Sequence, residues 1–235
     1  FAWTNKIEAI IVGEGITRVG AHMADLCHGL MEIDLPEGLT EIGSAAFSGC
    51  SGLSQVILPG TLESIGSSAF AGCSHFDGGL QYINFPDGLK SIGDSAFSGD
   101  PLSAVVLPQS LEFIGDDAFH NTAIREVTIP GGVTLERQAF DSCNNLTSVV
   151  IEAGVTELPQ LCFYNCRSLT ELQLPSTLEK LGSQAVYMTA LTTLTLPSND
   201  EYEFAGWIDD DGVIRFKDDN LTVSSDLNWE GGLVF

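Results

Sequence analysis

The chain has 235 residues, of which 44% are hydrophobic and 17% charged. A chain of this composition can bury a hydrophobic core, which excludes intrinsic disorder on grounds of composition. There are 32 acidic residues against 9 basic ones, giving a formal charge of −23; such a surface repels phosphate backbones and anionic headgroups, so we predict no nucleic-acid partner. No apolar run approaches the ~18 residues of a membrane span, so we predict no direct membrane insertion.

A hexad of the form L-x-x-V-x-L recurs along the chain. It starts at nine positions, namely Ile7, Leu30, Leu53, Leu80, Leu102, Ile124, Leu146, Leu169 and Leu191. Successive starts are 22 or 23 residues apart, except for one interval of 27 that holds the insertion SHFDGG at 74–79. We call each repeat a rung and number the rungs one to nine. Because no rung can bury its apolar side alone, the repeat predicts a stacked solenoid over residues 1–197.

Rung three shows the predicted elements in chain order. Its hexad, 53–58, ends in an alternation of period two, which is typical of a short strand with one buried face. Pro59 has no amide hydrogen and ends that strand. Gly66 is expected to free the backbone for a bend. The following SSAF stretch is long enough for about one helical turn that places Ala69 and Phe70 inward.

The repeated pattern LTxVxLPxxLxxIGxxAFxxC resembles the bacterial leucine-rich repeat of the BspA-like type. The resemblance covers roughly residues 7–197. It implies a right-handed leucine-rich-repeat solenoid of nine rungs with short parallel strands. It also implies a bacterial protein that is secreted or held at the cell surface. Departures from the pattern at Glu152, Pro159 and Val186 are expected to change local geometry and not the fold.

The six cysteines fall at inward positions of the repeat. Cys162 takes the Ala position, and the other five, Cys27, Cys50, Cys73, Cys143 and Cys166, lie three residues after the Phe position. We favour free buried thiols that donate weakly to backbone carbonyls. Disulfides between neighbouring rungs stay open, because stacked Cα atoms fall within bridging distance. There is no C-x-x-C pair, so we predict no metal site, and we predict no cofactor.

The second, third and fifth residues of each hexad are expected to face away from the core, forming a ribbon across the strands. The middle of this ribbon carries apolar side chains at Ile57, Tyr82, Val106 and Val150. Exposed apolar side chains on a sheet can mark a binding patch, although β-branched residues also favour strands for packing reasons alone. Phe76, in the inserted loop beside the ribbon, is either a further contact residue or packed under the loop.

Residues 198–235 lie outside the period and predict a small β unit. DDDG at 209–212 predicts a hairpin turn, because Asp-Gly favours type I′ geometry. DDDG lacks the alternating spacing of an EF-hand loop, so a hairpin is favoured over a calcium site. The segment resembles the Listeria–Bacteroides surface repeat through Phe204, Gly206, Trp207, Asp211, Gly212 and Trp229. The resemblance implies a partial β-grasp repeat, or else a cap over the last rung.

The sequence shows no catalytic motif. The four histidines lack metal-ligand spacing, and neither a G-x-S-x-G nor a P-loop occurs. We therefore predict a non-enzymatic, adhesin-like, secreted or cell-surface module that binds a protein or a glycan. A structural spacer with no ligand of its own is the alternative, and it predicts a uniformly acidic face. A carbohydrate-active enzyme is a remote third reading, requiring two carboxylates about 5 to 9.5 Å apart in a cleft.

Overall fold

The computed structural model describes residues 6–76 and 78–195, together with the backbone of two short strands at Ile214–Arg215 and Thr222–Ser224. The described rungs stack into a leucine-rich-repeat solenoid of short parallel strands, which confirms the predicted fold class. Each complete rung contributes one strand to each of two surfaces. We call the surface built from the hexads the front sheet and the opposite one, built from the segments around the Ile-Gly pairs, the back sheet.

The front strands are Ala9–Ile11, Glu32–Asp34, Gln55–Val56, Tyr82–Ile83, Glu126–Ile129, Ser148–Ile151, Glu171–Gln173 and Thr193–Thr195. The back strands are Arg18–Val19, Glu41–Ile42, Ser64–Ile65, Ser91–Ile92, Phe113–Ile114, Thr134–Leu135, Glu157–Leu158 and Lys180–Leu181. Paired strands are parallel and one rung apart, so that Ile10 faces Ile33 on the front and Ile65 faces Ile92 on the back. The first six back strands form one continuous sheet, whereas the front pairing is interrupted.

Seven rungs carry both a front and a back strand within the described residues, so the solenoid has about seven full turns, not nine. Rung five has a back strand at Phe113–Ile114, but its hexad forms no strand. Rung nine has a front strand at Thr193–Thr195, and its second half lies outside the described residues. The nine hexads are repeats of the sequence, and seven of them belong to rungs with both a front and a back strand within the described residues.

A column of stacked phenylalanines runs through the core. Its members are Phe47, Phe70, Phe97, Phe119, Phe140 and Phe163, all with 0% exposure. Neighbouring ring centroids lie 5.1 to 5.6 Å apart, with interplanar angles no larger than 20°. Buried Leu, Ile and Ala side chains of the repeat surround this column. Each ring packs against rings of the rungs above and below, so the column couples the rungs to one another.

The corner that was predicted to be a helical turn is not helical. Among the described residues the structure contains no helix, and hence none that could cross a membrane. The second residue after each Gly of the Ile-Gly pairs has a positive φ, for example 55° at Ser68 and 53° at Ser95. A residue in this left-handed region cannot continue a right-handed helix. The backbone amides are instead satisfied by the next rung, as in the 2.7 Å bond from Ser68 N to Asp94 O.

The glycines of the Ile-Gly pairs are needed for close packing and not for an unusual bend. Neither Gly66 nor Gly93 has a positive φ. A Cβ on Gly66 would lie 2.7 Å from the backbone nitrogen of Ser44, and a Cβ on Gly93 would lie 2.6 Å from that of Ser67. Each glycine thus lets its rung approach the backbone of the preceding rung. This corrects the bending role expected from the sequence.

The two C-terminal strands pair antiparallel with the end of the solenoid. Ile214–Arg215 pairs with Lys180–Leu181, and Thr222–Ser224 pairs with Thr193–Thr195. The DDDG turn and the aromatic residues that resemble the Listeria–Bacteroides repeat lie outside the described residues. The division of the chain at residue 197, and the role of 198–235 as a cap or a partial β-grasp repeat, stay predictions.

Candidate functional site on the front sheet

The front sheet is interrupted at rung five, where residues 103–107 form no strand. Phe85, in rung four, takes the hexad position that Leu58 holds in rung three. Its ring packs edge-on against Phe97 at 5.5 Å and Phe119 at 6.3 Å between centroids. This additional ring therefore contacts the phenylalanine column in both rung four and rung five.

The pairing of the preceding strands ends at Asn84. Its side-chain Oδ1 accepts from Leu58 N at 2.7 Å, and its Nδ2 donates to Leu58 O at 3.1 Å. The Asn84 side chain therefore makes the two hydrogen bonds to Leu58 that the backbone of a paired strand would otherwise make. This two-stranded pair ends here, and the next front strand along the chain is Glu126–Ile129.

A concavity of about 500 Å³ opens where the front sheet is interrupted. Its lining comprises Ser103, Ala104, Val105, Val106, Leu107, Arg125, Glu126, Val127, Thr128, Ser148 and Val150. It combines apolar walls with one basic and one acidic side chain, Arg125 and Glu126. The front face is thus deeper than a regular repeat predicts. The concavity has a single carboxylate in its lining, so it does not offer the carboxylate pair of a glycosidase.

The structure places the predicted ribbon residues on the front surface, and it brings two of them together. Val106 is 83% exposed and lines the concavity with the partly buried Val150. Ile57 and Tyr82 are exposed by 56% and 51%. Ile57 lines a separate concavity of about 290 Å³ with acidic neighbours from rung two. Phe76 is 99% exposed beside the antiparallel pair Ser74–His75 and Gly78–Gly79, so it is not packed under the loop.

The structure makes three further front residues relevant that the candidate site predicted from the sequence does not include. Ile11 and Met31 are apolar and exposed by 77% and 63%, and Arg125 is the basic side chain of the larger concavity. All three occupy outward hexad positions, so the alternation of inward and outward side chains along a strand could have identified them. The concavity itself had no comparable signal, because the sequence of rung five keeps the hexad pattern although its hexad forms no strand.

All six cysteines are buried and none forms a disulfide, as the sequence predicts. Four thiols donate to carbonyls of the preceding rung at 3.1 Å: Cys50 to Ala24, Cys73 to Phe47, Cys143 to Phe119 and Cys166 to Phe140. Burial raises the pKa of Cys50 to about 12, and it also raises the pKa of Cys162. Cys50 and Cys162 are therefore neutral core groups and not nucleophiles.

Asp100 occupies the cysteine position of rung four and is completely buried. Neither of its carboxylate oxygens has a hydrogen-bond partner. Burial raises the pKa of Asp100 well above its usual value, and the nearby backbone amide of Cys73 offsets only part of this effect. A carboxyl group that is easier to protonate when folded binds a proton more tightly in the native state than in the unfolded one.

Replacing Asp100 by cysteine is expected to stabilise the fold by about 1–3 kcal/mol at pH 7, because an unsatisfied buried polar group is removed. The new thiol can donate to a carbonyl of the preceding rung, as four others do. In the parent chain, the raised pKa of Asp100 stabilises the native state through proton binding. This stabilisation is complete below the unfolded-state pKa of about 3.9 and is lost as pH rises. The advantage of the variant should therefore shrink as pH falls from 7 towards 4. Urea unfolding at several pH values measures it.

The exposed Asp87 offers a matched control. We expect Asp87→Asn to change the unfolding free energy by less than about 0.5 kcal/mol at any of these pH values. A D100C chain that is no more stable than the parent at pH 7 would contradict the assignment of Asp100 as an uncompensated buried acid.

Parallel front and back strands, a repeat of 22 or 23 residues and continuous columns of buried apolar side chains define a leucine-rich-repeat solenoid. The sequence matches the BspA type leucine rich repeat region in six copies, over residues 1–103 and 133–205. The match spans more than half of the chain, and the chain belongs to this family.

The chain is also similar to solved structures, one of which has a TM-score above 0.5 and shows the same fold. The chain is 33% identical to a leucine rich repeat protein of T. pallidum, with a TM-score of 0.56, covering 72% of this chain and 71% of that one. Identity is 22% to a leucine rich cell surface protein of Faecalibacterium prausnitzii, with a TM-score of 0.39 and coverage of 72% and 60%. It is 20% to the pneumococcal vaccine antigen PcpA, with a TM-score of 0.49 and coverage of 73% and 52%. No curated protein matches the sequence.

Proposed function

We propose that the chain is a non-enzymatic binding module of a secreted or cell-surface bacterial protein, and that its front ribbon binds a protein or a glycan. The observation that carries this proposal is the row of exposed apolar side chains at Ile57, Tyr82 and Val106 on a chain with a formal charge of −23. Membership of the BspA-type family supports a surface role, in keeping with the name of the F. prausnitzii protein.

The chemistry of the ribbon suits a partner that buries apolar groups at its centre and meets charges at its edge. Burial of apolar surface contributes roughly 25 cal/mol per Å², so exposed Val106 and Ile57 side chains offer binding energy that folding does not use. Tyr82 combines an apolar ring with a hydroxyl, a combination enriched at interaction hot spots. Arg125 and Glu126 can orient a polar partner at the larger concavity.

The spacer alternative predicts a uniformly acidic face. The apolar side chains at Ile57, Tyr82 and Val106 interrupt that face, and Phe76 extends from the adjacent loop with 99% exposure. Exposed apolar groups in one region of an acidic protein favour a binding surface over a plain stalk.

Binding is tested by screening the purified chain against extracellular-matrix proteins, mucins and a glycan array. We expect at least one ligand, and we expect the double variant Ile57→Glu, Val106→Glu to weaken its binding at least ~10-fold, because an unpaired charge at an interface costs more than about 1.4 kcal/mol. The matched control, Ile16→Glu with Thr134→Glu, adds the same charge at exposed positions away from the front ribbon. It should bind like the parent.

Two results would contradict the proposal. One is a ligand that binds the parent and the front variant equally well. The other is the absence of any ligand while both chains are folded by circular dichroism, which favours the spacer.

A further inference from the structure

The corner between rungs five and six brings three metal-ligand side chains together. His120 Nδ1 lies 3.5 Å from Asp141 Oδ2 and 3.6 Å from Asp117 Oδ1. These three atoms lie within 4.8 Å of one another. No other group of three or more such side chains converges in this way among the described residues.

The stacking of the rungs creates this cluster. His120 and Asp141 each follow the Phe of their own rung, so they occupy the same position on consecutive rungs. The backbone bond from Asn121 N to Asp141 O, at 2.8 Å, holds the two rungs in register here. Asp117 has a φ of 55°, the left-handed conformation found at this corner in other rungs. In rungs two to four the position after the Phe holds Ser48, Ala71 and Ser98, which bear no comparable ligand.

Two of the three ligand atoms have no hydrogen-bond partner. Asp117 Oδ1 and His120 Nδ1 are buried as atoms and make no hydrogen bond, although both side chains reach the surface elsewhere. A buried polar atom left unpaired costs roughly 1–3 kcal/mol, so such atoms require an explanation. The two atoms lie 3.6 Å from each other.

The third ligand is held in place by its neighbours. Asp141 is 5% exposed. Gln138 Nε2 donates to its Oδ2 at 2.9 Å, and Ser142 Oγ donates to its Oδ1 at 2.7 Å. Asn165 Nδ2, from the next rung, donates to Ser142 Oγ at 3.1 Å. Hydrogen bonds of this kind orient the carboxylates of metal sites and tune their affinity.

We propose that Asp117, His120 and Asp141 form a binding site for a divalent transition-metal ion of the Zn²⁺ class. One imidazole nitrogen and two carboxylate oxygens suit such an ion, with a fourth position for water. Tetrahedral Zn²⁺ with bonds of about 2.0–2.1 Å separates its ligand atoms by about 3.3 Å. The two separations measured from Nδ1 are close to this value. Ca²⁺ and Mg²⁺ select oxygen ligands alone, so the histidine disfavours them.

An ion pair between protonated His120 and the two carboxylates is the competing account of the same geometry. The Asp141 carboxylate is the largest cause that raises the pKa of His120. Burial raises the pKa of Asp117, with further contributions from Asp116 and Asp141. Because a metal ion displaces the imidazole proton, its binding releases protons and strengthens as pH rises, whereas the ion pair weakens.

The test is a Zn²⁺ titration of the full metal-free chain by calorimetry at neutral and mildly alkaline pH. Excess Mg²⁺ occupies the many surface carboxylates. We expect one Zn²⁺ per chain. His120→Gln should lower the Zn²⁺ affinity about 100-fold. Ser142→Ala, which leaves all three ligands in place and alters the support of Asp141, should lower the Zn²⁺ affinity about tenfold. Co²⁺ should give a visible absorption band that H120Q abolishes.

His22→Gln is the matched control. His22 Nδ1 lies 3.3 Å from Asp25 Oδ2 in the same i, i+3 arrangement, but no third ligand from the described part of the chain converges on that pair. This variant should bind Zn²⁺ like the parent chain. The proposal is overturned if no Zn²⁺ binds above the Mg²⁺ background, or if folded H120Q binds it as tightly as the parent does. The first result would leave the ion pair as the explanation of the cluster.

Discussion

Replacing Phe97 by alanine is expected to lower the free energy of unfolding by about 3–5 kcal/mol, as large-to-small changes at buried phenylalanines do. Phe97 is completely buried. Its ring stacks on Phe70 and on Phe119, each at 5.5 Å between centroids, and it meets the edge of Phe85 at the same distance. Backbone bonds between rungs fix the rung spacing, so the cavity cannot collapse.

The position of Phe97 makes the effect informative. In a solenoid each rung contacts its neighbours alone, so stability is a sum of rung and interface contributions. Phe97 lies in rung four, near the middle, where its loss weakens the coupling between the two halves. We expect urea unfolding followed by circular dichroism to become broader as well as earlier. Hydrogen exchange should show the largest loss of protection in rungs three to five.

Phe76→Ala is the control, because Phe76 is of the same residue type and is 99% exposed. It should change the unfolding free energy by less than about 0.5 kcal/mol. Equal losses in the two variants would mean that the phenylalanine column is not what couples the rungs.

The sequence predicts the solenoid well because each rung repeats the same inward positions. The alternation of inward and outward side chains in the hexad predicts Ile57, Tyr82 and Val106 on the front surface, and all three are exposed. The cysteine position was predicted to be a buried slot facing a carbonyl, and Cys50 and Cys73 confirm it. These predictions depend on local alternation and on the repeat alone, both of which a single sequence displays.

The remaining features depend on how one rung meets the next. Ser68 adopts a positive φ although its residue type favours no left-handed conformation, because its amide pairs with the following rung. The concavity at Val106 lies where the hexad of rung five forms no strand. His120 and Asp141 meet across 21 residues, a spacing that no local ligand motif contains. Such contacts are visible only once the register between rungs is known.

Replacing Gly93 by alanine is expected to lower the free energy of unfolding by about 2 kcal/mol, within the range seen for overpacked interiors. The added Cβ would lie 2.6 Å from Ser67 N and 2.8 Å from the carbonyl carbon of Gly66. Both are backbone atoms, so no flexible side chain can move aside. Rung six carries Glu136 at the equivalent position, and its amide still bonds to Ile114 O at 2.9 Å. The backbone can therefore adjust at a cost, and we expect a folded but less stable variant.

Gly20 provides the comparison that separates packing from conformation. It holds the same position in rung one, and among the described residues a Cβ there would meet nothing within 4 Å. Neither glycine has a positive φ, so alanine strains neither backbone. Gly20→Ala should be neutral, or stabilising by about 0.4–1 kcal/mol, because alanine restricts the unfolded chain. Thermal and urea unfolding of both variants measure the difference. If the two substitutions change the free energy of unfolding equally, the glycines are needed for the backbone conformation of the corner. If G93A alone is destabilising, they are needed because the backbones of neighbouring rungs lie in contact at this position.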